Sequence, residues 1–418
     1  MYRIFGSPYS LTTHQSAMYL RHKGVEFNMH VSSLLGTRFA SWWHKCAATF
    51  AHTSPTGKTL LTFQDLVEDC ERAHPTPMLM VTPEDHPSLR LVGDALLLYS
   101  MYWLMNTGGL FRWVQGEGSH MMGAHASYFI VTIAPVSKAM GNAIRGKMKE
   151  TLAQYGITDD SEPFYCHHFF KLLNALEDHL TVHEYLLGTP HPTLADVTMA
   201  AVFECHFVQD DPPATDIREG APAIMKWLDK MTLTSADGTK RPLPSAKGYV
   251  YPDRVPETLM PIVSLMLEVL PWLVAQCDAM KLWHGQLRTV ENGPKLVTLP
   301  VVPNDEKKMA ANTEIKGYSV GRILEQGWEM ALEDVTVPCK VSVPHVHLAQ
   351  WMAKDVATLS WSVGGRKVSS VPVASDAENV EPLVNLHGLI ERMKIGDFEI
   401  QPLPEVHVGE LNFGVYVP

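Results

Sequence analysis

The sequence predicts an α/β unit at the start of the chain, an all-helical unit after it, and a mixed α/β extension at the end. Three observations carry this reading. The first hundred residues alternate strand-like and helix-like segments, and from about Thr107 helix-like segments follow one another between Gly and Pro. Beyond Val297, short β-like runs surround one helix-like run. At 418 residues the chain exceeds one ordinary core, and the changes of character divide it into 1–105, 107–290 and 291–418.

The elements of the first unit follow in order. Tyr2-Arg3-Ile4-Phe5 is a short apolar strand, and Gly6 to Thr13 is a hydroxyl-bearing turn. A helix then closes at Lys23-Gly24, and Val25 to Val31 reads as a second strand. Residues 34–74 read as a long insertion. It holds Thr37 to Phe50 with Trp42 and Trp43, a Ser/Thr/Pro/Gly loop from Thr53 to Thr59, and a helix over Phe63 to Ala73. Met78 to Val81 and Leu89 to Val92 read as two strands around the polar turn Thr82 to Pro87, with a helix over Leu96 to Leu104 after them. The order is β-α-β-α-β-β-α.

The second unit offers helices at His120 to Ile133, Ser137 to Tyr155, Pro163 to Val182, Leu194 to Val208 and Ala223 to Thr232. Pro192-Thr193-Leu194-Ala195-Asp196 opens one of them with a capping-box pattern, in which the Asp196 carboxylate reaches back to the cap. Thr234 to Pro252 is a polar excursion. Pro256 to Trp283 is helical again, with Pro261 and Pro271 expected to end or kink it. In the extension, Val335 to Val343, Thr358 to Val363 and Val406 to Val417 are β-like, and Val346 to Lys354 is helix-like.

Composition excludes several classes. Hydrophobic residues make up 46% and charged residues 19%, as in a soluble globular chain, and the net charge of −11 disfavours nucleic acid and anionic lipid as partners. The longest uncharged runs, Ala95 to Phe111 and Gly118 to Ser137, are interrupted by Gly, Ser, Thr, Asn or His and do not read as membrane spans. The first residues lack a basic start followed by a long apolar stretch, so a cytoplasmic protein is expected. Cys46, Cys70, Cys166, Cys205, Cys277 and Cys339 are dispersed, which reads as reduced thiols.

Candidate chemistry begins at Ser10. A strand, a hydroxyl-bearing turn and a helix start form an anion-binding place, because first-turn N–H groups lack intrahelical partners. Thr76-Pro77-Met78 sets a proline at a strand's first position. A cis bond there would turn the Met78 backbone outward to pair with an extended peptide, and a trans bond would make it an ordinary turn. Asp94, in Gly93-Asp94-Ala95, would cap the helix at Leu96 or hold a ligand ammonium group. His345-x-His347 and Cys166-His167-His168 have metal-like spacing without a further ligand set, and no metal is expected. Trp103, Phe111, Trp113, Tyr128 and Phe129 read as core, with an apolar pocket as the alternative.

Taken together, the element order, the Ser-x-x-Thr turn, the proline before a strand and the acidic turn resemble the glutathione transferase superfamily. Leu186-Leu187-Gly188 followed by Pro192-Thr193-Leu194-Ala195-Asp196-Val197 is similar to that family's helical-domain motif. The resemblance covers about Met1 to Thr232. It implies a thioredoxin-like domain joined to an all-helical one, glutathione as cosubstrate, a small apolar electrophile and a homodimer. Counting back from Lys23-Gly24 places the active hydroxyl at Ser10 with Thr13 as its partner, while Tyr9 and Ser7 remain alternatives. The resemblance further implies that Pro77 and Met78 pair with the cysteinyl unit and that Asp94 takes the γ-glutamyl ammonium. Ala95 stands where the family has a Ser or Thr. A hydroxyl rather than a thiol at the active position argues against disulfide exchange. The expected activity is activation of the glutathione thiol, with lyase or peroxidase chemistry and a non-catalytic binding or assembly module as alternatives.

Overall fold

The computed structural model describes residues 1–6, 10–31, 51–57, 59–60, 63–81, 86–116, 161–232, 251–252, 254–271, 273 and 380–393. It also describes scattered positions between 139 and 157 and four short strands within 314–341. Strand β1 (Tyr2–Gly6) leads into helix α1 (Leu11–His22) and then strand β2 (Phe27–Val31). β1 and β2 pair in parallel, with Tyr2 opposite Phe27 and Gly6 opposite Val31, and a parallel pair needs a crossover such as α1 supplies. Lys23 follows α1, and Gly24 at φ 67° ends it in the left-handed region that favours glycine.

Strands β3 (Ala51–Thr53) and β4 (Thr59–Leu60) complete the sheet in antiparallel pairings, giving the order β2-β1-β3-β4. Helix α2 (Phe63–Ala73) packs back on it through Phe63, Leu66, Val67 and Cys70. This changes the expected layout. Residues 51–73 are the second half of the sheet unit rather than part of an insertion, and the loop at 53–59 is the turn joining β3 to β4, with Gly57 at φ 87°. These strands have three and two residues, too short for side-chain alternation to reveal.

The two strands expected at 78–81 and 89–92 are absent. Residues 78–81 join no strand, and the carbonyls of Leu79 and Val81 serve other partners. Leu79 accepts from the Leu194 N–H at 2.8 Å, and Val81 accepts from Arg90 Nη1 at 3.0 Å. Residues 89–92 lie inside helix α3 (Pro87–Leu98), which Pro87 opens with its fixed φ and its missing N–H. The chain therefore leaves the sheet unit at the linker 74–86, not near residue 105.

Beyond α3 the helix widens into a π-type stretch at Tyr99–Leu104, runs through α4 (Met105–Gly109), and widens again at Leu110–Gln115. Helices α5 (Glu162–Val182), α6 (Leu194–Val202), α7 (Pro213–Gly220) and α8 (Pro222–Thr232) follow, with a π-type stretch at Phe203–Phe207 extending α6. A 3-10 turn at Glu257–Leu259 leads into a helical run over 260–271. Pro261 thus falls in that run's first turn, where proline is tolerated, and does not kink it. The extension contributes two antiparallel pairs: β5 (Glu314–Ile315) with β6 (Tyr318–Ser319), and β7 (Gln326–Leu332) with β8 (Val335–Val341). Helix α9 (Val380–Met393) comes last. The helices expected at 120–133 and 346–354, most of 137–155 and 234–252, and the β-like runs at 358–363 and 406–417 lie outside the described residues.

The capping box at α6 forms, and it does more than cap. Asp196 Oδ2 accepts from the Thr193 N–H at 2.9 Å and from the Thr193 hydroxyl at 2.8 Å. Its Oδ1 accepts from the Leu186 N–H at 2.8 Å and from Trp227 Nε1 at 3.1 Å. Asp196 is wholly buried, and burial pushes its carboxyl above the usual range although all four donors favour the charged form. α8 is anchored a second time by Glu177 of α5, whose two oxygens accept from the N–H groups of Ala223 and Ile224 at 2.9 Å each.

The interior joins the units without a break. Tyr19 of α1 meets Phe63 of α2 edge-on at 5.7 Å. Trp103 stacks on Tyr165 at 4.5 Å and 13°. Trp103, Phe111 and Trp113 are buried, which gives them the core role, while Tyr128 and Phe129 lie outside the described residues. Each such large side chain stabilises the fold by about 1.5–3 kcal/mol on burial.

Three buried histidines are held neutral. Burial lowers His22, His168 and His179 to about 4 each. His22 Nε2 donates to the Met231 carbonyl at 2.9 Å, and His168 Nε2 donates to the Leu265 carbonyl at 3.1 Å while Nδ1 accepts from the Tyr99 hydroxyl at 3.4 Å.

Two predictions follow from these contacts. Asp196→Ala strands buried donors and should lower unfolding free energy by about 3–5 kcal/mol in urea titrations. The histidines titrate near 6.5 when unfolded and near 4 when folded, so their contribution is complete above pH 6.5 and falls as the pH drops toward 4. At pH 5 the loss should be on the order of 2 kcal/mol per histidine, read as a lower urea midpoint than at pH 7.5.

Candidate functional site

The described strand–turn–helix that best fits an anion site is the N-terminus of α1. Ser10 is its N-cap, at φ −96° and ψ 128°, and its carbonyl accepts from the N–H groups of Thr13 and His14 at 3.1 Å each. Its hydroxyl does not cap the helix. Instead, Ser10 Oγ lies 2.9 Å from Thr12 Oγ1, and both residues are half-buried. The first turn of α1 carries no acidic residue, whereas Arg21 and His22 occupy its last turn. This charge distribution leaves the positive end of the helix dipole uncancelled.

Thr13 has a different place from the one expected. It is 1% exposed, and its Oγ1 finds no hydrogen-bond partner among the described residues. The methyl and hydroxyl pack over Gly6, where a Cβ would come within 2.1 Å of Oγ1. Thr13 therefore fixes the strand–helix junction from behind and does not reach a ligand. The alternatives Ser7 and Tyr9 lie outside the described residues.

The other four expected binding residues lie in the linker and on α3. The Thr76–Pro77 bond is cis, as one of the two sequence readings held, but it lies in the linker and precedes no strand. Lys23, its side chain fully enclosed, donates to the Pro77 carbonyl and to Glu71 Oε2 at 2.8 Å, so Pro77 ties the linker to α1 and α2. Met78 is half-buried in the same linker. Asp94 sits within α3 and accepts from Arg90 Nε at 2.8 and 2.9 Å, so it caps no helix. Ala95 is wholly buried. Asp94, Arg90, Leu79, Met80, Thr193 and Leu194 line a small cleft between the linker, α3 and α6. Pro77 and Met78 thus lie in the linker and Asp94 within α3, not at the strand ends where the sequence reading set them.

Two polar groupings escaped sequence reading. The first is the linkage of α1 to the helical unit, where Gln15 Nε2 donates to Thr198 Oγ1 at 3.0 Å. The second is a buried cluster in which Arg112 Nε donates to Asp210 Oδ2 at 2.8 Å and Nη2 donates to the Cys205 carbonyl, with His206 Nδ1 3.6 Å from Asp210. Burial alone would raise the Cys205 thiol, but the neighbouring His206 and Arg112 hold it below its ordinary value. The cluster is closed on every side and joins two π-type stretches, so its role is cohesion. No signal in a single sequence pairs residues almost a hundred positions apart. Cys70, Cys166 and Cys205 are free thiols, and no metal-holding group of His, Cys, Asp or Glu occurs among the described residues. His168 is taken up by core hydrogen bonds, and His345 and His347 lie outside the described residues. No described helix is long and apolar enough to cross a membrane.

A four-stranded β-α-β-β-β-α sheet unit, with an all-helical unit packed on its first helix, defines a thioredoxin-like domain joined to a transferase-type helical domain. Residues 167–230 match the family model for the glutathione S-transferase C-terminal domain. No curated protein sequence matches the chain. Among solved structures, a glutathione S-transferase from Xanthobacter autotrophicus Py2 is 17% identical, covering 58% of this chain and 96% of its own, with a TM-score of 0.32. The β-etherase LigF from Sphingobium sp. strain SYK-6 is 16% identical, covering 55% and 94%, with a TM-score of 0.39. FzlA from C. crescentus is 14% identical, covering 55% and 87%, with a TM-score of 0.34.

The Gly6–Thr13 contact yields a prediction. Gly6→Ala should destabilise the protein by about 1–3 kcal/mol, since a buried β-branched side chain cannot swing aside. Combining it with Thr13→Ala should recover most of that loss, and simple additivity in the double-mutant cycle would show that the contact is not the cause.

Proposed function

We propose that this chain is a glutathione-dependent transferase in which the Ser10 hydroxyl stabilises the glutathione thiolate for attack on a small apolar electrophile. One observation carries the reading. The Ser10 hydroxyl stands at the start of α1, half-buried, and is not consumed in capping the helix.

The magnitudes are adequate. A free thiol titrates near 8.5 and is mostly protonated at neutral pH. A hydrogen bond to the charged sulfur is worth roughly 1.5–3 kcal/mol, which corresponds to about one or two pKa units. The start of α1 adds about 0.3–1 kcal/mol for an anion placed there. In the step itself the thiol proton has already left to solvent and the sulfur lone pair forms a carbon–sulfur bond, while the electrophile's leaving group departs with the electron pair of the bond that breaks and is released to solvent. Thr12 Oγ1 lies 2.9 Å from Ser10 Oγ, and either hydroxyl can donate; with a sulfur bound, Thr12 would donate to Ser10 Oγ and leave the serine hydrogen for the sulfur. The γ-glutamyl end of the tripeptide is not assigned to Asp94, whose carboxylate is held by Arg90.

The test is a titration of thiolate absorbance on the protein–glutathione complex, with Ser10→Ala as the comparison. The wild-type complex should show a thiol pKa below 8.5, and Ser10→Ala should raise it by about one to two units while lowering conjugation activity at least tenfold. Glutathione binding with no thiolate shift in the wild type would make the chain a non-catalytic binding module. Failure to bind glutathione would overturn the reading altogether.

A further inference from the structure

We propose that residues 254–271 form an acid-released strap, which undocks from α5 ahead of the rest of the helical unit when the two buried histidines that hold it take up protons. The strap is a 3-10 turn running into a helix, and Leu259, Ile262, Val263, Met266, Val269 and Leu270 are buried along it at spacings of three and four. Its hydrogen bonds to the helices beneath are two. His168 Nε2 donates to the Leu265 carbonyl at 3.1 Å, and His179 Nδ1 lies 2.8 Å from Thr258 Oγ1. Both histidines belong to α5, three helical turns apart, and so share one face of it. Among the described residues no further hydrogen bond or ion pair ties 254–271 to those helices. α6 and α8, by contrast, are fixed by the carboxylates of Asp196 and Glu177.

Protonation works against both anchors. His168 Nδ1 accepts from the Tyr99 hydroxyl at 3.4 Å, so a proton on Nδ1 would oppose a donor in a buried pair. The groups facing His168 are Tyr99 from the π-type stretch, the Leu265 carbonyl from the strap, and His167 and Lys171 on α5 itself, while Glu268 of the strap acts on Tyr99. Those facing His179 are His183, stacked on it at 4.9 Å and 30°, Thr258, and the backbone of Tyr185 and Leu186. Among the described residues no carboxylate is hydrogen-bonded to either ring, and burial lowers both to about 4. Once the strap lifts, the rings meet water and titrate near 6.5, so release binds protons and grows easier as the pH falls from 6.5 toward 4. The start of the strap carries this to the junction of the two units. The Tyr251 ring lies 4.9 Å from His86 at the end of the linker and 5.3 Å from His191 in the turn before α6, and Pro256 closes over Gly188. Release therefore also loosens the linker from the helical unit.

Amide hydrogen exchange on the full-length protein, corrected for the intrinsic pH dependence of exchange, tests this. Exchange over 254–271 should quicken roughly fiftyfold from pH 6 to pH 5, the product of about sevenfold for each histidine moving from about 4 to 6.5. α6 and α8 should exchange more slowly than the strap throughout, a comparison that needs no substitution. His168→Gln and His179→Asn, which keep a nitrogen donor and cannot become charged, should each cut the acceleration by about sevenfold. An acceleration below about tenfold in the wild type, exchange of 254–271 in step with α6 and α8, or the same acceleration in both variants would each overturn the proposal.

Discussion

The architecture depends on one buried carboxylate. Asp196 draws together the turn at Leu186, the start of α6 at Thr193 and the indole of Trp227 on α8. A charge removed from water costs several kcal/mol and is tolerable only when hydrogen bonds replace the lost hydration. Here four donors do so, which makes the arrangement close to all-or-none. The site inherits its position from this. α6, once fixed, presents Thr198 to Gln15 of α1 and the Leu194 N–H to the linker carbonyl of Leu79. The helix that carries Ser10 is therefore held from the far side by a carboxylate that never approaches a ligand.

α1 is enclosed on both faces, and this sets the electrostatics of its ends. At its C-terminal end, His22 sits in a dry contact with the Met231 carbonyl, and Lys23 is drawn inward to Glu71 and Pro77. Lys23, with Arg21, complements the negative end of the helix dipole, while His22 stays neutral. The N-terminal end, with no acid in its first turn, keeps its positive field. Burial of the middle of α1 in low dielectric strengthens that field at the exposed turn, where an anion would sit.

Much of this was legible in the sequence, and the failures have identifiable causes. The β1–α1–β2 unit, the glycine stop at Gly24 and the capping box at Thr193 and Asp196 rest on local rules, and each appears where those rules place it. The remainder of the sheet was misread because β3 and β4 are too short to show a period, while Leu89 to Val92 imitates one. Such runs belong to a strand or a buried helix depending on what covers them, and coverage is decided by distant parts of the chain. The same limit applied to the site. Ser10 is a local feature and falls at the start of α1, where the turn was expected. Pro77 and Asp94 were expected around two strands, and the structure has a linker and a helix there.

The contrast between Ser10 and Thr13 explains why a serine suits the first of these positions. Thr13 is β-branched, wholly buried and pressed against Gly6, so its rotamer is fixed and its hydroxyl faces protein. Ser10 has one unbranched rotor, lies half in solvent, and is hydrogen-bonded to the Thr12 hydroxyl at 2.9 Å rather than accepting from a backbone N–H. A hydroxyl already committed to the helix N–H groups would act as an acceptor there and turn its lone pairs toward the field meant for the anion. Leaving the cap unmade costs about 1 kcal/mol of helix stability. On the proposed reading, charge-assisted donation to a sulfur would return roughly 1.5–3 kcal/mol, so a bound thiolate would stabilise the turn.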